Sequence, residues 1–277
     1  MSRTEKPLNF LIICTDQMQS FTMGCNGNTE VRTTNLDQLA RTGCNFQRAY
    51  CTNSVCSPSR ATIFTGLTAR QHGCITNGDI LPVNIPTIAK ALSEHDYRTH
   101  SVGKLHLQPA WAQPCPENRQ SEGGTDGNSW ENSRAWKEGG IKHLPAGYYG
   151  FQTTEFVNGH VDGCYGDYEN WLKSINPQMH ARYRRENCLA KVKHPKDCWQ
   201  LDVPAELHYN TWITDRTVQY LSDLKHDESF FIWCSFPDPH HPYAAAAPYN
   251  RMYDPASVRL NATWQDESDP LPALATR

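Results

Sequence analysis

Residues 9–14 read Asn-Phe-Leu-Ile-Ile-Cys, a near-continuous apolar run that ends at the polar residues Thr15, Asp16 and Gln17. A run of this kind is typical of a strand that is buried on both faces, as in a parallel sheet covered by helices. Asp16 then lies just beyond the carboxyl end of the strand, where open α/β sheets bind ligands. The stretch predicts an α/β fold with a polar side chain at its ligand-binding edge.

The rest of the chain alternates strand patterns with helical patterns. Residues 97–103 and 230–236 are predicted as further strands, and residues 46–51 as a short extended piece. The helical patterns lie at about residues 34–42, 58–65, 86–94 and 204–225. This alternation indicates a mostly parallel central sheet sandwiched by helices. Residues 107–200 have few aliphatic runs and many Pro, Gly, Asn and aromatic residues, so a loop-rich insertion is predicted there.

Composition and charge narrow the class of protein. The chain has 277 residues, of which 38% are hydrophobic, so it can bury a sizeable core in one large domain or two. Its net charge of −3, with no basic run, gives no support for a nucleic acid or an anionic membrane as partner. No apolar run approaches the roughly 18 residues of a membrane span, and the polar N-terminus carries no recognisable signal peptide. The expected location is therefore cytoplasmic.

The chain has eleven cysteines, and none of them forms a CxxC pair. This scatter argues against a zinc knuckle and, without a signal peptide, against a disulfide scaffold. Most of the cysteines are therefore expected to be small buried apolar residues.

Residues 56–66 read Cys-Ser-Pro-Ser-Arg-Ala-Thr-Ile-Phe-Thr-Gly and hold a candidate nucleophile. Pro58 suits the first turn of a helix, which places Cys56 and Ser57 at the helix N-terminus, where free N–H groups and the macrodipole favour anions. Arg60 lies one turn further on and carries a fork of donors that matches a tetrahedral oxyanion. Transfer of a sulfate or phosphate group needs this arrangement, whereas a lone cysteine before an ordinary helix is more often a buried structural residue.

Polar residues also follow the two later strands. Lys104 and His106 follow the second predicted strand, and His240 follows the third. Each has a structural explanation when taken singly, because a lysine can be solvated, a histidine can be hydrogen-bonded in the core, and Asp16 can cap a helix. The carboxyl ends of parallel strands share one edge, so these four residues can converge there with Cys56. One site explains them better than four separate causes.

Together these motifs resemble those of the sulfatase family. Residues 56–66 match the signature Cys-x-Pro-Ser-Arg followed by a short helix and Thr-Gly, and Asp16 matches an acidic metal-ligand motif after the first strand. Residues 103–106 match a Gly-Lys-x-His motif, and residues 239–242 match a Pro-His-x-Pro motif. The resemblance implies an alkaline phosphatase-like fold. It also implies hydrolysis of sulfate monoesters through a formylglycine that a maturation enzyme makes from Cys56.

The resemblance further implies a cofactor site. A divalent cation, calcium before magnesium or manganese, would be bound by Asp16, by Gln17 and by the aldehyde hydrate derived from Cys56. That hydrate would be the nucleophile, and Arg60 would orient it and help to neutralise charge.

Roles for the remaining candidates also come from the resemblance. Lys104 and His240 would bind the sulfate oxygens or protonate the leaving alcohol, and His106 would assist collapse of the covalent ester. The implied substrate is a small-molecule or carbohydrate sulfate ester, and residues 107–200 would contact its far side.

One departure from the family pattern leaves the substrate class open. Many sulfatases have paired aspartates where this chain has Asp16 and Gln17. The Asp-Gln form is more similar to choline sulfatases and phosphonate monoester hydrolases. A phosphate or phosphonate monoester is therefore the alternative substrate.

A second departure concerns the metal ligands. The family's Asp-Asn-Gly or Asp-His-Gly motif does not occur in residues 243–277, where no aspartate is followed by Asn or His. Residues 1–277 are therefore expected to be the N-terminal portion of a sulfatase catalytic domain, truncated before the C-terminal part of the fold. The alternatives to an active enzyme are a catalytically incompetent fragment and a chain that needs a complementary C-terminal chain.

Overall fold

A computed structural model describes residues 7–111, 129–191 and 197–259 of the chain. The strands are β1 (Phe10–Thr15), β2 (Arg98–Gly103), β3 (Thr153–Asn158), β4 (Tyr165–Gly166), β5 (Ala190–Lys191), β6 (Trp199–Gln200) and β7 (Phe230–Phe236). The α-helices are α1 (Thr34–Thr42), α2 (Cys56–Thr65), α3 (Ala69–His72), α4 (Ile88–Ser93), α5 (Ser133–Lys137), α6 (Asp167–Ile175), α7 (Pro177–Arg182) and α8 (Tyr209–Asp223). None of these helices is both long and apolar enough to cross a membrane. Residues 46–51 form a loop, not the predicted extended piece, and residues 260–277 lie outside the described residues.

The main sheet has the strand order β1-β7-β2-β3-β4. Strands β1, β7, β2 and β3 are parallel, and the short β4 is antiparallel to β3. The register aligns both Cys14 of β1 and Gly103 of β2 with Ser235 of β7. Three strands therefore end at the same level, and Asp16 and Lys104 emerge at this edge on either side of β7. The predicted α/β fold with a mostly parallel sheet is confirmed.

Helices cover both faces of the sheet, as predicted, because the side chains of β7 alternate between two apolar clusters. Phe231 and Trp233 belong to one cluster together with Phe64 of α2, whose ring lies 4.7 Å from the ring of Trp233. Cys234 belongs to the other cluster together with Ile213 of α8. Helix α2 is thereby packed against one face of the sheet.

Strand β1 is less buried than the sequence predicts. It forms one edge of the sheet, and Leu11 and Ile13 are 41% and 60% exposed. Among the described residues only β7 pairs with it, and helix α1, which follows it, buries none of its own residues. An apolar run indicates a strand, but its position in the sheet depends on which distant segments pair with it.

The described part of residues 107–200 is more regular than the predicted loop-rich insertion. It contains helices α5, α6 and α7, and it supplies β3 and β4 to the main sheet. The sequence pattern misses β3 because only its last residues, from Phe156 to Asn158, are buried. So short an apolar stretch gives little periodicity to detect.

The cysteines are also less buried than the sequence predicts. Of the ten cysteines that the structure describes, Cys74, Cys164 and Cys234 are buried, whereas Cys44 and Cys51 are exposed. The others are partly exposed, Cys56 among them.

Candidate active site

Asp16, Arg60 and Lys104 form a buried cluster of charges at the carboxyl edge of the sheet. The Oδ2 atom of Asp16 lies 2.7 Å from Lys104 Nζ and 3.2 Å from Arg60 Nη2, and all three side chains are at most 6% exposed. Burial by itself raises the pKa of Asp16, but the ammonium and the guanidinium outweigh it and hold the pKa well below its usual range. The carboxylate is therefore ionised at neutral pH and is shared by two cations.

The backbone at the end of β2 holds this cluster in place. Gly103 has a φ of +94°, and a Cβ atom there would lie 1.9 Å from the carbonyl oxygen of Ser235, so glycine is required. The N–H of Lys104 donates to that same carbonyl at 3.0 Å. Arg60 Nη1 donates to the carbonyl of Lys104 at 2.7 Å and to Ser235 Oγ at 3.0 Å. The Gly-Lys pair thus lets β2 turn next to β7 while Arg60 ties the two strands together.

Cys56 is the first residue of α2, and Pro58 lies in the first turn, as predicted. The Sγ atom donates to Asp16 Oδ1 at 3.7 Å. Burial raises the pKa of the Cys56 thiol, and Asp16 adds to this effect against the opposing influence of Lys104. The thiol is therefore protonated at neutral pH and is a poor nucleophile, because only the thiolate attacks readily.

A cleft of about 330 Å³ opens onto these residues. Its lining includes Asp16, Gln17, Ser54, Cys56, Ser59, Arg60, Asn77, His240 and His241. Asn77 was not predicted, and it accepts a hydrogen bond from the N–H of Ser57 at 2.9 Å, which fixes the start of α2. A single asparagine in a loop carries no sequence signal for this role.

Asp16, Cys56 and His240 could hold a metal ion, since one ligand atom from each lies within 4.8 Å of the others. Gln17 is exposed in the wall of the same cleft with a φ of 54°. These donors fit part of the coordination shell of a divalent cation. Because a hard cation such as Ca²⁺ takes six or more oxygens, the described residues do not complete it.

His160 joins the site, although the sequence predicts residues 159–163 only as a substrate loop and gives His160 no role. Its Nε2 atom lies 3.1 Å from Lys104 Nζ, and its ring stacks on that of His240 at 3.8 Å. His240 in turn stacks on His241 at 4.1 Å. His160 follows Gly159, whose φ of +83° turns the chain directly after β3. The sequence signal for it is a Gly-His-x-x-Gly turn, which is too short to be specific.

His106 is buried beside the charge cluster. Strand β2 ends at Gly103, before both Lys104 and His106, and His106 has a φ of +55°. Both ring nitrogens are buried and have no hydrogen-bond partner among the described residues. Burial lowers the pKa of His106 well below its usual value, and the positive charges of Lys104 and Arg60 add to this effect. The imidazole is therefore neutral at pH 7.

Glu131 supports the turn that carries His106 and was not predicted. Its fully buried carboxyl accepts from the N–H of Leu107 at 2.9 Å, from the hydroxyl of Tyr148 at 3.0 Å and from Nδ2 of Asn158 at 3.3 Å. Burial raises the pKa of Glu131 to about 7, although these donors oppose the shift. Glu131 thus fixes the backbone just after the Lys104 to His106 segment.

The Glu131→Gln variant is expected to change how stability depends on pH. Between about pH 4.5 and 7 the folded chain holds one more proton than the unfolded chain, so the unfolding free energy of the unaltered protein falls as pH rises. Glutamine does not titrate, so the variant should lose this dependence. The unaltered protein should therefore lose about 3 kcal/mol relative to the variant between pH 4.5 and 8. Urea denaturation of both proteins at several pH values measures the difference.

Glu138→Gln is the matched control for that experiment, because Glu138 is exposed and pairs only on the surface with Arg134. Its stability should follow that of the unaltered protein at every pH. An equal free-energy difference between Glu131→Gln and the unaltered protein at pH 5 and pH 8 would contradict the prediction.

Comparison with solved structures defines the class of fold. The phosphonate monoester hydrolase of Silicibacter pomeroyi is similar with a TM-score of 0.65 and 24% identity, over 92% of this chain and 46% of that chain. The phosphonate monoester hydrolase of Agrobacterium radiobacter has a TM-score of 0.64 and 22% identity, over 91% of this chain and 45% of the hydrolase chain. At these identities the likeness shows the fold alone. The protein has the alkaline phosphatase-like α/β fold, as predicted.

Comparison with curated sequences defines the family. The family model described as Sulfatase matches residues 8–262. The arylsulfatase of Clostridium perfringens is 26% identical over 94% of this chain and 50% of that protein. The uncharacterized sulfatase YidJ of Escherichia coli is 26% identical over 94% of this chain and 44% of the YidJ chain. The chain therefore belongs to the sulfatase family, as its motifs predict, and it spans about half the length of these relatives.

Proposed function

We propose that this chain carries the nucleophile-bearing part of a sulfatase active site, which hydrolyses sulfate monoesters. The observation that carries the proposal is the position of Cys56 at the N-terminus of α2, with its Sγ atom facing Asp16 Oδ1. Lys104 and Arg60 form ion pairs with the other carboxylate oxygen of Asp16, Oδ2. This places a candidate nucleophile beside two cationic side chains that suit a tetrahedral oxyanion.

A formylglycine made from Cys56 accounts for this position better than a free thiol does. The buried thiol is protonated at neutral pH, which makes unmodified cysteine unsuited to attack on sulfur. A two-electron oxidation of the Cβ atom to an aldehyde, in which the C–S bond breaks, the sulfur leaves as sulfide and an external oxidant used by the modifying enzyme takes the electrons, would give a hydrate with an oxygen nucleophile at the same place. The enzyme that performs this modification would be a partner that binds residues 56–66.

A divalent cation would be held by Asp16, by Gln17 and by the oxygen derived from Cys56, and it would supply Lewis-acid activation of the sulfate group. Calcium is the first candidate, with magnesium or manganese as alternatives, because the donors are mostly oxygens. Since the described residues give only one carboxylate, we propose that further ligands come from outside them.

The remaining side chains have roles that follow from their places in the site. Arg60 is fixed by Asp16, by the backbone carbonyl of Lys104 and by the hydroxyl of Ser235, so it can orient the modified side chain of residue 56. Lys104 and His240 lie at the same edge of the sheet, where they can bind the sulfate oxygens and protonate the leaving alcohol. The neutral imidazole of His106, whose ring nitrogens have no hydrogen-bond partner among the described residues, would assist when the covalent link to the enzyme is broken.

A phosphate or phosphonate monoester is the second candidate substrate. The observation that favours it is Gln17, an amide where many sulfatases carry a second carboxylate. One fewer negative charge at the site would repel a dianionic phosphate monoester less. The same donors can bind either tetrahedral group.

Mass spectrometry together with a substrate panel tests the proposal. The full chain is expressed with a formylglycine-generating enzyme, and the mass of the tryptic peptide that contains Cys56 is measured. We expect the mass of the aldehyde or its hydrate, and turnover of phenyl sulfate that exceeds turnover of the monoester phenyl methylphosphonate. An unmodified thiol in all preparations would rule out the formylglycine mechanism. Preference for the phosphonate would overturn the sulfate assignment.

A further inference from the structure

A second cleft adjoins the candidate active site and shares His240 with it. This cleft, called the ring cleft here, measures about 380 Å³, a size that suits a small ligand. Its lining includes the aromatic side chains of Trp199, Tyr243, Tyr249 and Tyr253. Three of them remain open to a ligand, because Tyr243, Tyr249 and Tyr253 are 53%, 59% and 38% exposed.

We infer that the ring cleft binds the leaving group of the ester, and that this leaving group is an uncharged ring, either aryl or pyranose. The inference rests on the proposed sulfatase function and deepens it by naming the class of substrate. Aromatic side chains offer flat apolar faces against which both kinds of ring can pack.

The charges of the ring cleft argue for a neutral ring. No lysine or arginine is among the described residues that line it, and its one carboxylate, Asp238, accepts hydrogen bonds from Tyr209 and Asn210. Arg185 lies 4.9 Å over the ring of Trp199 but is not part of the lining. A second sulfate or a carboxylate on the substrate would lose hydration there without gaining a counter-charge.

Backbone hydrogen bonds hold together two segments that line the ring cleft. The N–H of Tyr243 donates to the carbonyl of Asp197 at 2.7 Å, and the N–H of Trp199 donates to the carbonyl of Tyr243 at 3.2 Å. Further along, the N–H of Ala247 donates to the carbonyl of Val203 at 3.2 Å. These bonds join residues 197–203 to residues 243–247, so little ordering remains to oppose binding.

The position of His240 connects the two clefts. Its ring lies near Asp16 and Cys56 on one side, and it also lines the ring cleft. Its neighbour His241 lies 6.5 Å from Tyr243, measured between ring centroids. A sulfate group bound beside Cys56 therefore places the leaving oxygen near His240, and the ring attached to that oxygen extends toward Tyr243.

The Tyr249→Ala variant tests the inference in the full chain after modification of Cys56. Three esters are compared: phenyl sulfate, glucose 6-sulfate and methyl sulfate, which has no ring. We expect kcat/KM for at least one ring ester, relative to methyl sulfate, to fall by about 3- to 10-fold. The ester that is affected distinguishes an aryl from a pyranose ring. Tyr50→Ala is the control, because Tyr50 is 88% exposed and lines neither cleft.

Two results of these assays would overturn the inference. One is a ratio of ring ester to methyl sulfate that Tyr249→Ala leaves unchanged. The other is turnover of glucosamine 2-N,6-O-disulfate that equals or exceeds turnover of glucose 6-sulfate, since this would mean that the ring cleft accepts a second charge.

Ligand-observed NMR separates failure of the inference from failure of the proposed function. Saturation transfer from the protein to the ring protons of phenyl sulfate or glucose 6-sulfate reports contact without turnover. If no ester is hydrolysed but transfer occurs and is lost in Tyr249→Ala, the proposed function fails and the ring cleft stands. If neither ring shows transfer, the ring cleft is overturned whether or not esters are hydrolysed.

Discussion

The Cys56→Ala variant is expected to lose sulfate ester hydrolysis by roughly 10⁴-fold or more, the scale seen when a covalent nucleophile is removed from an enzyme. The neighbouring Asp16 carboxylate is a poor replacement, because it is already paired with Lys104 and Arg60. The measurement is kcat/KM for phenyl sulfate with the full chain, expressed with a formylglycine-generating enzyme.

Cys51→Ala is the matched control for this loss. Cys51 lies five residues before Cys56 in the sequence, is exposed and lines neither cleft. Its variant should retain turnover within about 2-fold of the unaltered protein, since surface substitutions away from a site have small effects. Circular dichroism melts of both variants show whether the fold is retained. Substantial turnover by a folded Cys56→Ala protein would contradict the assignment of the nucleophile.

The Asp16→Asn variant is expected to lower the free energy of unfolding by about 3 to 5 kcal/mol. Asparagine keeps the shape of the side chain but removes the negative charge that Lys104 and Arg60 share. Both cations would then be buried without a counter-charge, which costs much more than loss of an exposed ion pair. Urea denaturation at pH 7 measures the change.

Two further variants make this prediction specific. Asp202→Asn breaks the exposed ion pair with Arg182 and should cost less than about 1 kcal/mol. The double variant Asp16→Asn with Lys104→Met should recover part of the stability that Asp16→Asn loses, because it removes one of the stranded charges. A loss below about 1 kcal/mol for Asp16→Asn would show that the three charges are not coupled as their distances indicate.

Calorimetric titration with Ca²⁺ or Mg²⁺ uses the same variant to examine the metal site. Saturable binding that Asp16→Asn abolishes would support the proposed cation. No saturable binding to the unaltered chain would favour a catalytically incompetent fragment, or a site that needs ligands from a complementary chain. The partial donor set of Asp16, Cys56 and His240 makes this titration informative about how much of the coordination shell the chain supplies.

The sequence by itself determined the class of fold and most of the candidate site. Hydrophobic periodicity and helix-start signals are local, so the apolar run before Asp16 and the Pro58 turn after Cys56 could be read without tertiary information. Parallel strands align their carboxyl ends, which is why the residues after β1, β2 and β7 were expected to meet. The register, which aligns both Cys14 and Gly103 with Ser235, brings the carboxyl ends of the three strands to the same level.

Only the tertiary structure decided the partners of these residues. The edge position of β1, the contact of His160 with Lys104 and the support of His106 by Glu131 depend on segments between about 24 and 220 residues apart in the sequence. No local sequence pattern encodes these pairs, because each contact depends on how distant segments are arranged around the sheet. The protonated state of Cys56 also follows from burial and from the charges around it, which exist only once the sheet and α2 have packed.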